Sequence, residues 1–450
     1  MKKVVLYSSN SKRRSPSSNC IVFPKWAQLW DRLADKHPDC EITLVVQLNG
    51  RYFLDIHNGE VTHMPEKINV KILDMDDKLD AFVTAIEDIH PDVAIAMPGP
   101  VSGIDWNGIR DAGIAEELER RGIKTICYPL KTAMDCFDKW RTHVFLETHG
   151  FNVAKAVFCH HEMFFAGQGD NQSTGNVYQE YVLEQVKNLP FPIILKGTTG
   201  SSSTGITIAH SYEEAESYLL SEKNGEDLII EELLKGQEYG TEIHGCKGHF
   251  NVLPPFMKFT TDNEEVIDPL GLTTVKFGPM KGEAYHTDEL ISELTRMAEL
   301  MELNGNNNLD LMLVGDKWYI IEINARWSGL TTLTTSAEGR TPYDIYMDQY
   351  TGSDVDYTDL NNIGYSCNFK MSQMSDEQLE ELSKKEHVDS VVQYEVIRSA
   401  DNKFVFSDVV IGGFNNYSEM SECLGQLQKQ YPEAISADVV TSVGNKLKSM

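Results

Sequence analysis

The chain opens with short apolar runs separated by stretches of helical spacing. "KKVVLYS", "CEITLVVQL" and "PDVAIAM" read as strands, while "KWAQLWDRLADKH" and "KLDAFVTAIEDIH" bring apolar residues back every three or four positions. Strands alternating with helices predict an open parallel sheet, with ligands beyond the C-terminal strand ends. "DVAIAM" runs straight into "PGPVSGIDWNG", rich in Gly and Pro, and a helix "GIAEELERRG" and a strand "KTICYPL" follow. Residues 1–134 are therefore expected to form an α/β parallel-sheet domain.

The texture changes near Asp135. "DKWRTHVFLETHGF" predicts a helix ending at Gly150, followed by strands "VAKAVFC", "FPIILK" and "GITIAH". "HSYEEAESYLL" opens a helix with Ser211 as N-cap and Glu214 three residues on, each expected to satisfy the other's amide. Strands "DLIIEELL" and "GQEYGTEIHG", a helix "DELISELTRMAELMEL" and strands "NNLDLMLV" and "KWYIIEINAR" come next. The expected division is an α+β body at 135–350, with a small lobe at about 150–235 and a large lobe at about 236–350, then a small α+β module at 351–450.

The last strand pair carries the most chemistry. Leu309, Leu311 and Leu313 alternate with Asp310, Met312 and Val314; Tyr319, Ile321 and Ile323 alternate with Ile320, Glu322 and Asn324. A three-residue turn, Gly315-Asp316-Lys317, would set Asp310 opposite Glu322 and put the leucine and isoleucine rows on one face. A two-residue turn would set Asp310 opposite Ile321. The first register gathers Asp310, Glu322 and Asn324, where opposed like charges call for a cation. Mg²⁺ takes hard oxygen ligands of this kind and shares itself with nucleotide phosphates.

Other stretches fit the same ligand. In "FPIILKGTTGSSSTG", Lys196 precedes a loop of Gly200, Ser201, Ser202, Ser203 and Gly205, whose small side chains let backbone amides close on an anion. This is not a P-loop, because the lysine comes before the loop and a strand comes after it. Glu231-Glu232-Leu233-Leu234 can offer backbone groups to an adenine edge, and Glu238 can accept from ribose hydroxyls. Arg326 follows Asn324 by two residues and can brace a phosphate or carboxylate, with "ARWSGLT" as an anion-binding turn through Ser328, Gly329 and Thr331. Alone, each stretch also fits a solvated loop or edge strand.

Composition narrows the classes. A formal net charge of −28 argues against nucleic acid as a partner; Lys12 to Arg14 is the one local basic run. Eight cysteines include no Cys-x-x-Cys pair, so neither a zinc knuckle nor a disulfide framework is signalled. No apolar run approaches the ~20 residues of a membrane span, and "MKKVVLYSSN" is not a secretory signal, so a cytoplasmic location is expected.

Together, in this order, the pieces resemble the ATP-grasp superfamily over roughly residues 90–345. The central part is similar to the D-alanine–D-alanine ligase branch, in which an Asp-Lys pair, here Asp138-Lys139, opens the central domain. The resemblance implies two α+β lobes around ATP and Mg²⁺ (or Mn²⁺), and an ADP- and phosphate-forming ligase that joins a carboxylate to an amine through an acyl phosphate. It implies Lys139 and Lys196 as phosphate lysines, with Lys258 as a third. The 200–205 loop becomes a flap in which Ser202 acts with Lys196 and Arg326 on the reacting groups. Glu231, Glu232 and Leu234 become the adenine hinge, Glu238 the ribose acceptor, and Asp310, Glu322 and Asn324 the metal ligands. Gly197 stands where the family has proline, and Asn308 replaces an arginine of the D-alanine ligases, which argues against D-alanine. Arg326 and the C-terminal extension are more similar to L-amino-acid ligases, glycinamide-ribonucleotide synthetase and biotin carboxylase. The implied substrates are small carboxylates and amines, amino acids among them. Carboxylation through carboxyphosphate and non-catalytic ATP binding are the alternatives. Two-fold assembly is common among such proteins, though nothing in the sequence shows it.

Overall fold

The computed structural model describes residues 1–9, 20–47, 52–57, 59–74, 77–99, 106–167, 175–200, 206–261, 273–352, 362–399 and 402–450. The chain first forms β1 (Lys2–Ser8), β2 (Cys20–Phe23), α1 (Trp26–Lys36) and β3 (Cys40–Gln47). A hairpin of β4 (Asp55–His57) and β5 (Glu60–His63) follows, then β6 (Asn69–Leu73), α2 (Leu79–Glu87), β7 (Val93–Ala96), α3 (Asn107–Arg120) and β8 (Thr125–Ile126). Five of these strands make the expected parallel sheet, in the order β6-β3-β1-β7-β8. Helix α1 covers one face and α2 and α3 the other, which is why Val4 to Tyr7 are all buried.

The small lobe follows: α4 (Leu130–Phe137), α5 (Lys139–Thr148), β9 (Ala156–Cys159), α6 (His161–Phe164), α7 (Val177–Lys187), β10 (Ile193–Gly197), β11 (Thr207–Ala209), α8 (Tyr212–Leu219) and β12 (Leu228–Glu232). Its strands pair antiparallel, β11-β10-β12-β9. Ser211 caps α8 by accepting from the Glu214 amide at 3.3 Å. The reciprocal bond shifts by one residue: Glu214 accepts from the amide of His210 at 2.8 Å.

The rest comprises β13 (Gln237–Cys246), β14 (His249–Val252), β15 (Phe256–Thr260), β16 (Thr274–Gly278), α9 (Thr287–Met301), β17 (Gly305–Val314), β18 (Lys317–Asn324), α10 (Thr331–Glu338) and α11 (Asp344–Thr351). Then come β19 (Tyr365–Ser372), α12 (Asp376–Ser383), β20 (Val388–Ser399), β21 (Asn402–Phe414), α13 (Tyr417–Gln430) and α14 (Ala437–Ser449). One sheet joins these strands in the order β18-β17-β13-β15-β16-β19-β21-β20-β2, with β14 on β13. The C-terminal strands thus extend the large-lobe sheet, and β2, from near the start of the chain, pairs along its far edge. One face carries Leu309, Leu311, Tyr239, Met257, Phe277 and Cys367, buried under α9 and the C-terminal helices. The other face carries the charged residues.

Candidate active site

The hairpin of β17 and β18 reaches the expected pairing by another route. Its turn has two residues, Gly315 and Asp316, with Val314 opposite Lys317. Gly315 sits at φ +63°, where a residue without Cβ is unstrained. That register would have put Asp310 opposite Ile321. A bulge between Asp310 and Leu311 absorbs one residue of β18, so Asp310 still faces Glu322 and Asn308 faces Asn324. The bulge also corrects the core assignment: Ile320 and Ile323, not Ile321, are buried with Leu309 and Leu311.

Cations flank the two acids. Lys139, the first residue of α5, places Nζ 3.2 Å from Glu322 Oε1 and donates to the Gly200 carbonyl at 3.0 Å. Asp138 fixes that helix start by accepting from the amides of Trp140 and Arg141. On the other side, Lys258 Nζ lies 3.7 Å from Asp310 and 2.5 Å from Glu238. Burial opposes ionisation of Glu322, but Lys139, Lys196 and Arg326 outweigh it and hold its carboxyl below the ordinary range. Asp310 goes the other way: burial raises it, Lys258 opposes, and Glu238 and Glu322 add repulsion.

Lys196 of β10 pairs with Glu231 of β12 at 2.5 Å, a diagonal contact set by the antiparallel register. Glu231 also lies 4.0 Å from His143, whose pKa burial lowers. Glu232 was expected beside it at the hinge, but alternation turns its side chain to the opposite face, where it accepts from the Lys155 amide at 2.9 Å. Its backbone amide is engaged as well, donating to the Lys155 carbonyl at 3.0 Å. Leu234 is half-buried just after β12. Gly236 passes so close to β17 that a Cβ would lie 2.2 Å from the Leu313 carbonyl oxygen. Glu238 follows at the start of β13, held by Lys258. Ser201, Ser202, Ser203 and Gly205 of the expected flap lie outside the described residues, as does the basic run at 12–14.

Arg326 donates to Asn324 Oδ1 at 3.0 Å and to the Trp327 carbonyl at 3.3 Å. The expected anion-binding turn after it is differently employed. Ser328 and Thr331 donate inward to the buried carboxylate of Glu242, so their hydroxyls do not face the cleft. Arg326, Asn324 and Glu322 instead line a small cleft of about 40 Å³ together with Gly108, Ile109 and Phe137.

Sequence reading missed Glu242 and Lys276. Both lie on the charged face at positions that strand alternation gives: Glu242 four residues after Glu238, and Lys276 directly opposite Lys258. Burial, then Lys370 and Lys258, push the Lys276 ammonium down to about 8.

A divalent cation fits this donor set. Among the described residues no three His, Cys, Asp or Glu side chains form a metal cluster. The donors are two opposed acids and a nearby amide, in a place where burial first, and then the neighbouring acids, disfavour the charged form of Asp310.

The ATP-grasp domain pattern matches residues 136–330. The chain carries an ATP-grasp domain. A D-alanine–D-alanine ligase from Buchnera aphidicola is 25% identical over 232 residues, 48% of this chain and 68% of that enzyme. The fold is also that of an L-amino acid ligase from Bacillus licheniformis (TM-score 0.62, 14% identity, 96% of this chain and 98% of the other). A biotin carboxylase domain from Hydrogenobacter thermophilus, solved as a dimer with MgADP and bicarbonate, is similar as well (TM-score 0.59, 12% identity, 96% and 90% covered). ATP-grasp ligases of this kind are C–N ligases, with ATP and Mg²⁺ as cofactors. Among the described residues no helix is long and apolar enough to cross a membrane.

Proposed function

We propose that this ATP-grasp protein activates a small-molecule carboxylate as an acyl phosphate and passes it to an amine, releasing ADP and phosphate. The observation that carries the reading is Asp310 face to face with Glu322, with Asn324 at the end of that strand and Arg326 two residues beyond it. In this reading the substrate carboxylate attacks the γ-phosphorus, and the P–O bond to ADP breaks. Lys139 and Lys196 offset charge on the transferring phosphoryl group. Asp310, Glu322 and Asn324 would hold Mg²⁺, which would supply further neutralisation of that charge. Arg326 braces the acyl phosphate while the amine attacks its carbonyl carbon and phosphate leaves. Glu231 to Leu234 border the adenine, Glu238 receives the ribose, and Lys258 offers a third cation.

We read residues 1–134, 135–350 and 351–450 as the three parts of a cytoplasmic enzyme, and amino acids as the substrate class to try first. A two-fold assembly rests only on the likeness to a dimeric domain, and sedimentation tests it. The deciding experiment measures ADP release and amide formation across an amino-acid panel, with mass detection of the product. Amide made at the rate of ADP release supports the ligase. Stimulation by bicarbonate alone favours carboxylation, and ATP binding without turnover on any pair overturns the enzyme reading.

A further inference from the structure

Arg326 lies on a segment held from three sides. Tyr128 donates its hydroxyl to the Ala325 carbonyl at 2.8 Å. Trp327 is fully buried among Trp26, Tyr52, Phe53 and Tyr343, and its amide donates to the Pro98 carbonyl at 3.0 Å. The third hold is Glu242, fully buried on β13 beneath α10.

The hydrogen atoms around Glu242 can be placed by elimination. Its Oε1 accepts from Thr331 at 2.6 Å and from Ser328 at 3.3 Å, and its Oε2 accepts from Thr334 at 2.6 Å. Each hydroxyl has one proton, and that proton goes to the carboxylate. The lone pairs of two of them are then free to accept. Thr331 Oγ1 takes the Ser328 amide at 3.0 Å, and Ser328 Oγ takes the Leu330 amide at 2.9 Å. One carboxylate therefore sets the backbone of the turn through two hydroxyls. The far side is equally determined. Arg340 can only donate, so His244 Nδ1, 2.7 Å away, is the acceptor. Its Nε2 therefore carries the proton that reaches Glu242 Oε2 at 2.9 Å. Arg340 is itself paired with Glu338 and Asp348, each at 2.9 Å.

We infer that Glu242 is a positioning residue for Arg326. It acts through the Ser328–Thr331 turn and is oriented by His244 and Arg340. The inference rests on the ligase reading for the role of Arg326. Glutamine at 242 keeps the shape but brings an NH₂ that cannot accept: on the Oε1 side it denies the Ser328 and Thr331 hydroxyls their acceptor and loosens the amides they hold, and on the Oε2 side it opposes the donors Thr334 and His244.

The test compares wild type, E242Q, E242D and the double variant T331V/T334V. Amide formation in E242Q should fall about tenfold or more, with the KM for ATP within about twofold of wild type. ADP released per amide should rise, because a misdirected arginine lets the acyl phosphate meet water. T331V/T334V should show the same split, and E242D should recover part of the coupling. Hydrogen exchange of residues 324–331 should speed up in E242Q. Wild-type exchange and wild-type coupling in E242Q would overturn the inference. So would a parallel fall of kcat, ATP affinity and Tm that E242D does not relieve. A wild type that makes no amide would sink the ligase reading instead, and the exchange measurement would still decide the role of Glu242.

Discussion

The two faces of the large sheet are built on the same strands and do opposite things. On one face, Leu309, Leu311, Tyr239 and Phe277 are packed under helices, each worth about 1.5–3 kcal/mol of burial. On the other, Glu322, Asp310, Glu238, Lys258, Lys276, Lys370 and Asp408 run across the strands as a charged ribbon. Half-buried charges there repel their neighbours and are only partly paired. The folded state tolerates them because the hydrocarbon face supplies the stability, which leaves the charged face free for the nucleotide and metal roles proposed for it.

The largest expected effect tests that division directly. D310N or E322Q should lower ligase activity by about 10²–10³-fold, while the Tm measured without nucleotide or metal stays level or rises for D310N, which removes a charge that burial and the neighbouring acids disfavour. A fall in Tm as large as that of a core variant would break the contrast. L311A should do the reverse: urea unfolding should show a loss of about 2–5 kcal/mol, with kcat per folded molecule within about twofold of wild type.

A smaller effect comes from pH. Lys276 is pushed down to about 8 in the folded chain, below the ordinary lysine value of about 10.4, so the unfolded chain binds more protons between those limits. Stability from this group should therefore rise as pH increases from about 8 to about 10. Metal-free thermal scans should show that rise in wild type and a flatter profile in K276M; equal slopes would mean that the ribbon does not strain this lysine. Smallest is G315A, which should cost about 1 kcal/mol by forcing Cβ into the left-handed turn that registers both faces.

Legibility in the sequence followed the same split. The N-terminal parallel sheet was readable because buried parallel strands are continuous apolar runs, as Val4 to Tyr7 illustrate. The pairing of Asp310 with Glu322 was also readable, although by the wrong turn: a shorter loop and a bulge at Ile321 offset each other. Glu242 was not readable. Alternation assigns it a face but not what lies above it, and only the chain turn after Arg326 brings three hydroxyls there. Likewise, "SVVQYEVIRS" and "KFVFSDVVIGG" read as strands, but Tyr365–Ser372 is not read as one, and nothing local says that all three extend a sheet begun at Gln237. Glu232 was placed correctly on its strand, yet its side chain obeys the pleat and leaves the hinge.

The short β2 strand has a consequence for how the molecule is made. Cys20 to Phe23 pair with Val391 to Tyr394, so the earlier segment must wait until the far later one has been made. Until then the large sheet has an open border, the kind of surface on which nascent chains snag one another. The four residues of β2 thus act as a clasp that is set only after β20 has been made, and they leave the sheet with a short edge in place of a long one.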